Sequence, residues 1–139
     1  MIVVDSGPLV AAALATDVNH RRCVELFASL RLNNERLVLP PFVATEVCYL
    51  LAREGGSKAE TAFVRSLAAG DFTIAPVTAA GLERTADLIA QYADMPLGLV
   101  DASVIALAEQ LELREIATLD RRHFSVVRPR HVDSFTLLP

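Results

Sequence analysis

Apolar positions along this chain alternate between two patterns, short runs and helical stripes. Ile2-Val3-Val4, Leu37-Val38-Leu39, Phe72 to Ala75, Ile116 to Leu119 and Phe135 to Leu138 are short, largely apolar runs. That is the pattern of strands buried on both faces of a parallel sheet. Between the runs, apolar residues recur at helical spacing. A short helix is predicted over roughly Pro8 to Leu14. Asn19 is placed to cap a second through Leu30, with Cys23, Leu26, Phe27 and Leu30 on one face. Pro40-Pro41 ends the second strand, and Pro41 suits the first turn of a helix from Phe42 to Arg53. Ser57-Lys58-Ala59-Glu60 has the form of a capping box and opens a helix that ends near Gly70. Thr78 caps a helix reaching about Tyr92, and Leu99 to about Leu111 forms another.

Strands alternating with helices imply an α/β fold with a mainly parallel sheet and helices on both faces. The run Phe135 to Leu138 reads as an edge strand. No linker, internal repeat or low-complexity segment divides the 139 residues, so residues 1–139 are expected to form one domain. In open sheets of this kind, ligands bind outside the carboxyl ends of the strands.

Four acids stand where a lone charge is costly. Asp5 closes the run Ile2-Val3-Val4, and Asp120 closes Ile116 to Leu119. Glu46 and Asp101 interrupt apolar helical segments. The helical neighbours of Asp101 are Leu97, Gly98, Val104 and Ile105; those of Glu46 are Phe42, Val43, Tyr49 and Leu50. Neither acid has a basic partner at salt-bridge spacing. Taken singly, each has an ordinary explanation. Asp101 would be a first-turn acid facing a helix dipole, and Glu46 would accept from Tyr49 or share an exposed stripe with Arg53. Asp5 and Asp120 would be turn residues at strand ends. Four such acids at one end of one sheet point instead to a shared cation site, because buried carboxylates are neutralised, paired or metal-bound. With no His or Cys at ligand spacing, carboxylate oxygens suit Mg²⁺ or Mn²⁺ better than Zn²⁺. Such a centre suits phosphodiester hydrolysis.

Charge refines that picture. The net charge of −4 excludes a general polyanion binder, yet Arg121 to His131 holds four arginines, two histidines and no acid. A local basic patch satisfies the electrostatic needs of a nucleic-acid contact. Apolar residues make up 53% of the chain and the mean hydropathy is +0.38, so spare apolar surface is expected at an oligomer or partner interface. Cys23 and Cys48 make no disulfide framework or metal spacing and read as buried small hydrophobes. Leu9 to Ala15 is apolar, but no basic region precedes it and Asp5 lies upstream, so it is not read as a signal peptide. Leu97 to Ala108 is too short to span a bilayer and contains Asp101. A soluble, cytoplasmic protein is expected. P-loop, dinucleotide, zinc-protease and hydrolase-elbow motifs are absent, and His20 reads as a first-turn surface residue.

These blocks together resemble the PIN-domain ribonucleases, specifically the VapC-type toxins of toxin–antitoxin pairs. The resemblance rests on Ile2-Val3-Val4-Asp5-Ser6, on Glu46 after Pro40-Pro41, on Leu97-Gly98-Leu99-Val100-Asp101-Ala102, and on Thr118-Leu119-Asp120-Arg121-Arg122-His123-Phe124. It covers nearly the whole chain, and its last two blocks are the specific ones. It implies a three-layer α/β/α sandwich, Mg²⁺- or Mn²⁺-dependent cleavage of RNA, a homodimer, and inhibition by a cognate VapB-type antitoxin. It also implies that Asp5, Glu46, Asp101 and Asp120 are the catalytic, metal-holding quartet, with Ser6 and Thr118 supporting them. Gly7 departs from the family pattern, whose first motif frequently carries a hydroxyl there. Arg121, Arg122 and His123 are candidates to hold RNA phosphates, against a plain solvated turn. Asp94 could reach the rim of the site, but an ordinary loop aspartate is the better reading.

Two other classes compete. A phospho-accepting signalling domain also gathers acids at strand ends but needs a lysine near the late strands, and the chain's one lysine is Lys58. A non-catalytic PIN-like module that binds only RNA or antitoxin would not need the intact quartet.

Overall fold

A computed structural model describes residues 1–139. The apolar runs form five strands: β1 (Ile2–Val4), β2 (Leu37–Leu39), β3 (Thr73–Ile74), β4 (Glu115–Ala117) and β5 (Thr136–Leu138). The connections carry α1 (Ser6–Ala13), α2 (His20–Leu32), α3 (Pro41–Ala68), α4 (Ala79–Gln91), α5 (Leu99–Gln110) and α6 (Arg121–Val126). Every strand pairing is parallel, in the order β3-β2-β1-β4-β5. β1 and β2 are buried throughout, as their unbroken apolar sequences require, whereas the edge strands β3 and β5 are more open.

The chain steps outward from β1 to β3, then returns past β1 to β4. Right-handed crossovers therefore assign α1–α3 to one face and α4–α6 to the other. In agreement, α1 packs on α2 and α3, and α4 packs on α5. Ile2, Val3, Val4, Leu39, Val43, Val47, Leu51, Ile105 and Ile116 fill the interior between these layers. The reversal of strand order lies between β1 and β4, and the crevice it leaves at their carboxyl ends is where an α/β sheet offers a binding site.

Local chemistry adjusts several expected boundaries. Helix α1 starts at Ser6, two residues earlier than the pattern implies, because the Asp5 carboxylate accepts the Ser6 N–H at 2.7 Å and caps the helix. Asn19 precedes α2 as expected, but its side chain makes no cap bond. Instead its own N–H reaches the Asp17 carboxylate, and His20 in the first turn bonds through Nδ1 to the Ala11 carbonyl. The two helices expected on either side of residues 54–56 form one long element with a kink. The break comes from Gly56, not from a Ser57 capping box: its φ of 73° with ψ of −177° is backbone that essentially only glycine adopts. The far end of α3 closes on Gly70, at φ 82°, with Gly70 N–H donating to Leu67 O and Asp71 N–H to Ser66 O. Thr78 caps α4 through the Gly81 N–H as the sequence implied. Cys23 is fully buried and Cys48 only half so, and neither is in a disulfide. No helix is long and apolar enough to cross a membrane.

Candidate active site

The return of the chain to β4 brings Asp5 and Asp120 side by side, although 115 positions separate them in sequence. One buried hydroxyl ties them together. Thr118, with no exposed surface, donates its Oγ1–H to Asp5 Oδ2 at 2.8 Å and accepts the Asp120 N–H at 3.0 Å. A second hydroxyl reaches the next acid, since Ser6 Oγ donates to Glu46 Oε2 in the first turns of α3. Glu46 therefore takes its partner from α1, neither from Tyr49 nor from a stripe with Arg53; the Arg53 guanidinium lies over the exposed Tyr49 ring instead. Asp101 sits in the first turn of α5 and faces Asp5, Asp120 and Glu46 closely enough to feel the charge of each.

The structure thus brings together Asp5, Glu46, Asp101 and Asp120, with Ser6 and Thr118 between them. Gly7 contributes no hydroxyl, and a Cβ there would meet Leu119 at 3.4 Å. Asp94 stands exposed in the turn before α5, with no hydrogen bond to the cluster.

The expectation of a site without histidine needs correction. Ligand atoms of Asp101, Asp120 and His123 lie within 4.8 Å of one another. Arg121–His123 is not a plain turn but the start of α6, which Asp120 caps by accepting the His123 N–H at 3.0 Å. The His123 ring places Nδ1 on Asp120 Oδ2 and Nε2 on the Met95 carbonyl, 2.8 Å away. Both partners are acceptors, so these contacts favour the protonated ring, which donates from both nitrogens. It is a charge partner for Asp120 before it is anything to RNA. The signal was present as Asp120-x-x-His123, an acid at a helix cap with a histidine at the third helical position.

Electrostatics separates the four acids. Burial pushes the Asp5 carboxyl up; the Thr118 and Ser6 hydrogen bonds oppose that, and the Glu46 and Asp120 charges add to it. Asp101 is pushed up to about 6 by burial and then by the charges of Asp5 and Asp120, with His123 opposing. Burial also raises Asp120, but the main-chain and ring hydrogen bonds of His123 and the Arg122 N–H outweigh it and hold it below its ordinary value. His123 is raised in turn, chiefly by its bond to Asp120. No Lys or Arg pairs with any of the four carboxylates. Crowded oxygen donors with one imidazolium against four acids fit a hard divalent cation. His123 has no free lone pair to offer a metal while both its bonds stand.

The basic segment does not act as one patch. Arg121 and Arg122 lie at the site, whereas the Arg130 N–H bonds Glu109 near the far end of α5, and His131 Nε2 bonds the Leu113 carbonyl.

Comparison with known proteins agrees with this geometry. The family model of the PIN domain matches residues 2–128. The chain belongs to the PIN domain family. Within it, the chain is similar in sequence to a VapC ribonuclease. It is 36% identical to Ribonuclease VapC26 of Mycobacterium tuberculosis over 138 residues, covering 99% of this chain and 100% of that protein. Its fold is shared with the crystal structure of M. tuberculosis VapC20, described as a Sarcin-Ricin loop cleaving toxin, at a TM-score of 0.82 and 22% identity. That match covers 96% of this chain and 99% of the other. FitAcB from Neisseria gonorrhoeae shares it at a TM-score of 0.63 and 22% identity, over 86% of this PIN domain and 88% of that chain.

Proposed function

We propose that this protein is a Mg²⁺- or Mn²⁺-dependent endoribonuclease and the toxin of a type II toxin–antitoxin pair. The observation that carries the reading is the convergence of Asp5, Glu46, Asp101 and Asp120 at the topological switch point, unpaired by Lys or Arg. Family membership supports it. Asp5, Asp101, Glu46 and Asp120 would hold the cation, which when bound supplies Lewis acidity to a water and to a phosphate oxygen.

The rest of the mechanism belongs to the chain's own groups. Thr118 and the Ser6 N–H donate to Asp5, favour its ionised form against the cost of burial, and fix its oxygens in direction. The Ser6 hydroxyl donates to Glu46 and fixes the direction of that oxygen. His123 keeps Asp120 ionised near neutral pH. Asp101, pushed up to about 6 by burial and by its acidic neighbours, would take the proton from an attacking water. Arg121 and Arg122, at the start of α6, would hold RNA phosphates.

A cognate VapB-type antitoxin is the expected inhibitor, and a homodimer the expected assembly. Exposed Ile74, Val77, Leu82 and Leu99 supply apolar surface that such contacts would cover. Residues 1–139 act as a single domain in this reading, in the cytoplasm.

The test is cleavage of a structured RNA by the purified protein. Cutting should stop in EDTA and return with Mg²⁺ or Mn²⁺. Undiminished cutting in EDTA would sink the metal mechanism, and no cutting with either ion would sink the enzyme.

A further inference from the structure

Two arginines from distant parts of the chain converge on one oxygen at the edge of the acid cluster. Arg22, in α2, donates Nη2 to the main-chain oxygen of Pro139 at 2.7 Å, and Arg121, at the start of α6, donates its own Nη2 to the same atom. Both side chains are exposed, and no Asp or Glu pairs with either. The position of that oxygen follows from the sheet. Ala117 pairs with Leu138 and the Thr118 N–H bonds the Leu138 carbonyl, so Pro139 lies beside Thr118 at the carboxyl end of β5. Thr118 is the residue whose hydroxyl joins Asp5 to Asp120. β5 is two strands from β1, so the main chain at the end of β5 runs about 10 Å from that at the end of β1.

Two guanidinium groups aimed at a single oxygen, here that of the last residue in the sequence, present the donor arrangement that phosphate oxygens favour. We infer that Arg22 and Arg121 form a phosphate clasp for the RNA strand, holding a phosphodiester next to the one that is cut and seating it where the Pro139 oxygen now lies. Arg22 thereby becomes a substrate-positioning residue of α2, which nothing in its local sequence marks. The inference rests on the ribonuclease reading. It gives the acid cluster, which by itself repels RNA, a cationic edge on the β5 side.

The experiment measures RNA affinity against salt concentration in the Asp101→Asn background, so that the probe is not consumed. The probe is a fluorescein-labelled, mixed-sequence, single-stranded RNA of about 20 nucleotides, read by anisotropy in Mg²⁺. Adding Arg22→Ala should weaken binding about tenfold on any sequence and lower the log–log salt slope by about 0.7 to 1, the value of one lost phosphate contact. Arg121→Ala should do the same. Arg22→Lys should restore most of the slope, since it keeps the charge. Arg130→Ala, which removes an exposed charge near the far end of α5, should leave the slope unchanged and so exclude a bulk charge effect. Were Arg22 only an anchor for β5, Arg22→Ala would lower the melting temperature and leave the slope intact, which overturns the clasp. A parent protein that binds no RNA at any salt would overturn the ribonuclease reading together with the clasp; a parent that binds with Arg22→Ala unaffected overturns the clasp alone.

Discussion

Replacing Asp101 with asparagine separates a metal-holding acid from one kept to stabilise its helix. In the metal-free protein Asp101 is raised from 3.8 to about 6, first by burial and then by Asp5 and Asp120. Between those two values the folded protein binds more protons at this group than the unfolded chain does. Stability without metal therefore falls as pH rises from about 4 to about 6, and stays lower above that window. A shift of about two units corresponds to about 3 kcal/mol as an upper bound. The side chain is only partly buried, so solvent screening reduces this to about 1–2 kcal/mol. The N-terminal dipole of α5 pulls the other way by about 0.3–1 kcal/mol, too little to reverse the sign. Asparagine keeps the shape and removes the charge. In EDTA at pH 7.5, Asp101→Asn should melt above the wild type by about 2–5 °C, and the gap should close near pH 4. The same variant should lose RNA cleavage and most of the stabilisation that millimolar Mg²⁺ gives the wild type. Melts by circular dichroism at the two pH values, with and without Mg²⁺, decide the matter beside one cleavage assay. A variant that melts below the wild type in EDTA at pH 7.5 and still cuts RNA would refute the reasoning and leave Asp101 a helix-stabilising acid.

Thr118→Val should cost about 1–3 kcal/mol in urea melts, because it withdraws the buried donor of Asp5 and the acceptor of the Asp120 N–H, and it should weaken Mg²⁺ stabilisation as well. Gly56→Ala should destabilise by about 1–3 kcal/mol, since φ 73° with ψ −177° is closed to a side chain even though a Cβ there meets no neighbour; an unchanged melting curve would contradict the kink. Glu109→Gln should cost about 3 kcal/mol by leaving Arg84 largely buried without its carboxylate partner. Burial raises Glu109, but the Arg84 hydrogen bonds and the Arg130 N–H outweigh it and hold the carboxyl below its usual value. Its contribution is therefore present above about pH 4.5 and is lost as pH falls through the lowered value, so wild type and variant should converge in acid.

The sequence by itself determined the strands, most helices and the identity of the four acids. Short apolar runs bounded by turn signals read as strands, and an acid closing such a run stands out locally, so Asp5 and Asp120 were conspicuous one residue at a time. Helix ends were less legible. Asp5 caps α1 with the same carboxylate it brings to the site, and Gly56 breaks α3 through its backbone, which no side-chain pattern announces. The short α6 carries Arg-Arg-His at its start and shows no apolar period, so no helix was expected there; the bond between Asp120 and His123 joins residues across its first turn.

Tertiary structure alone decided who neighbours whom. Periodicity reports which face of an element is buried over a few residues, but strand order is set by how all the layers pack at once. Only the order β3-β2-β1-β4-β5 places β4 beside β1, which lets the Thr118 hydroxyl join Asp5 to Asp120. The same packing favours the protonated form of His123, through a Met95 carbonyl 28 positions away, and sets Arg22 and Arg121 on one oxygen. Hydrogen bonds between residues so far apart leave no trace in local spacing, because each depends on where the rest of the chain has come to lie.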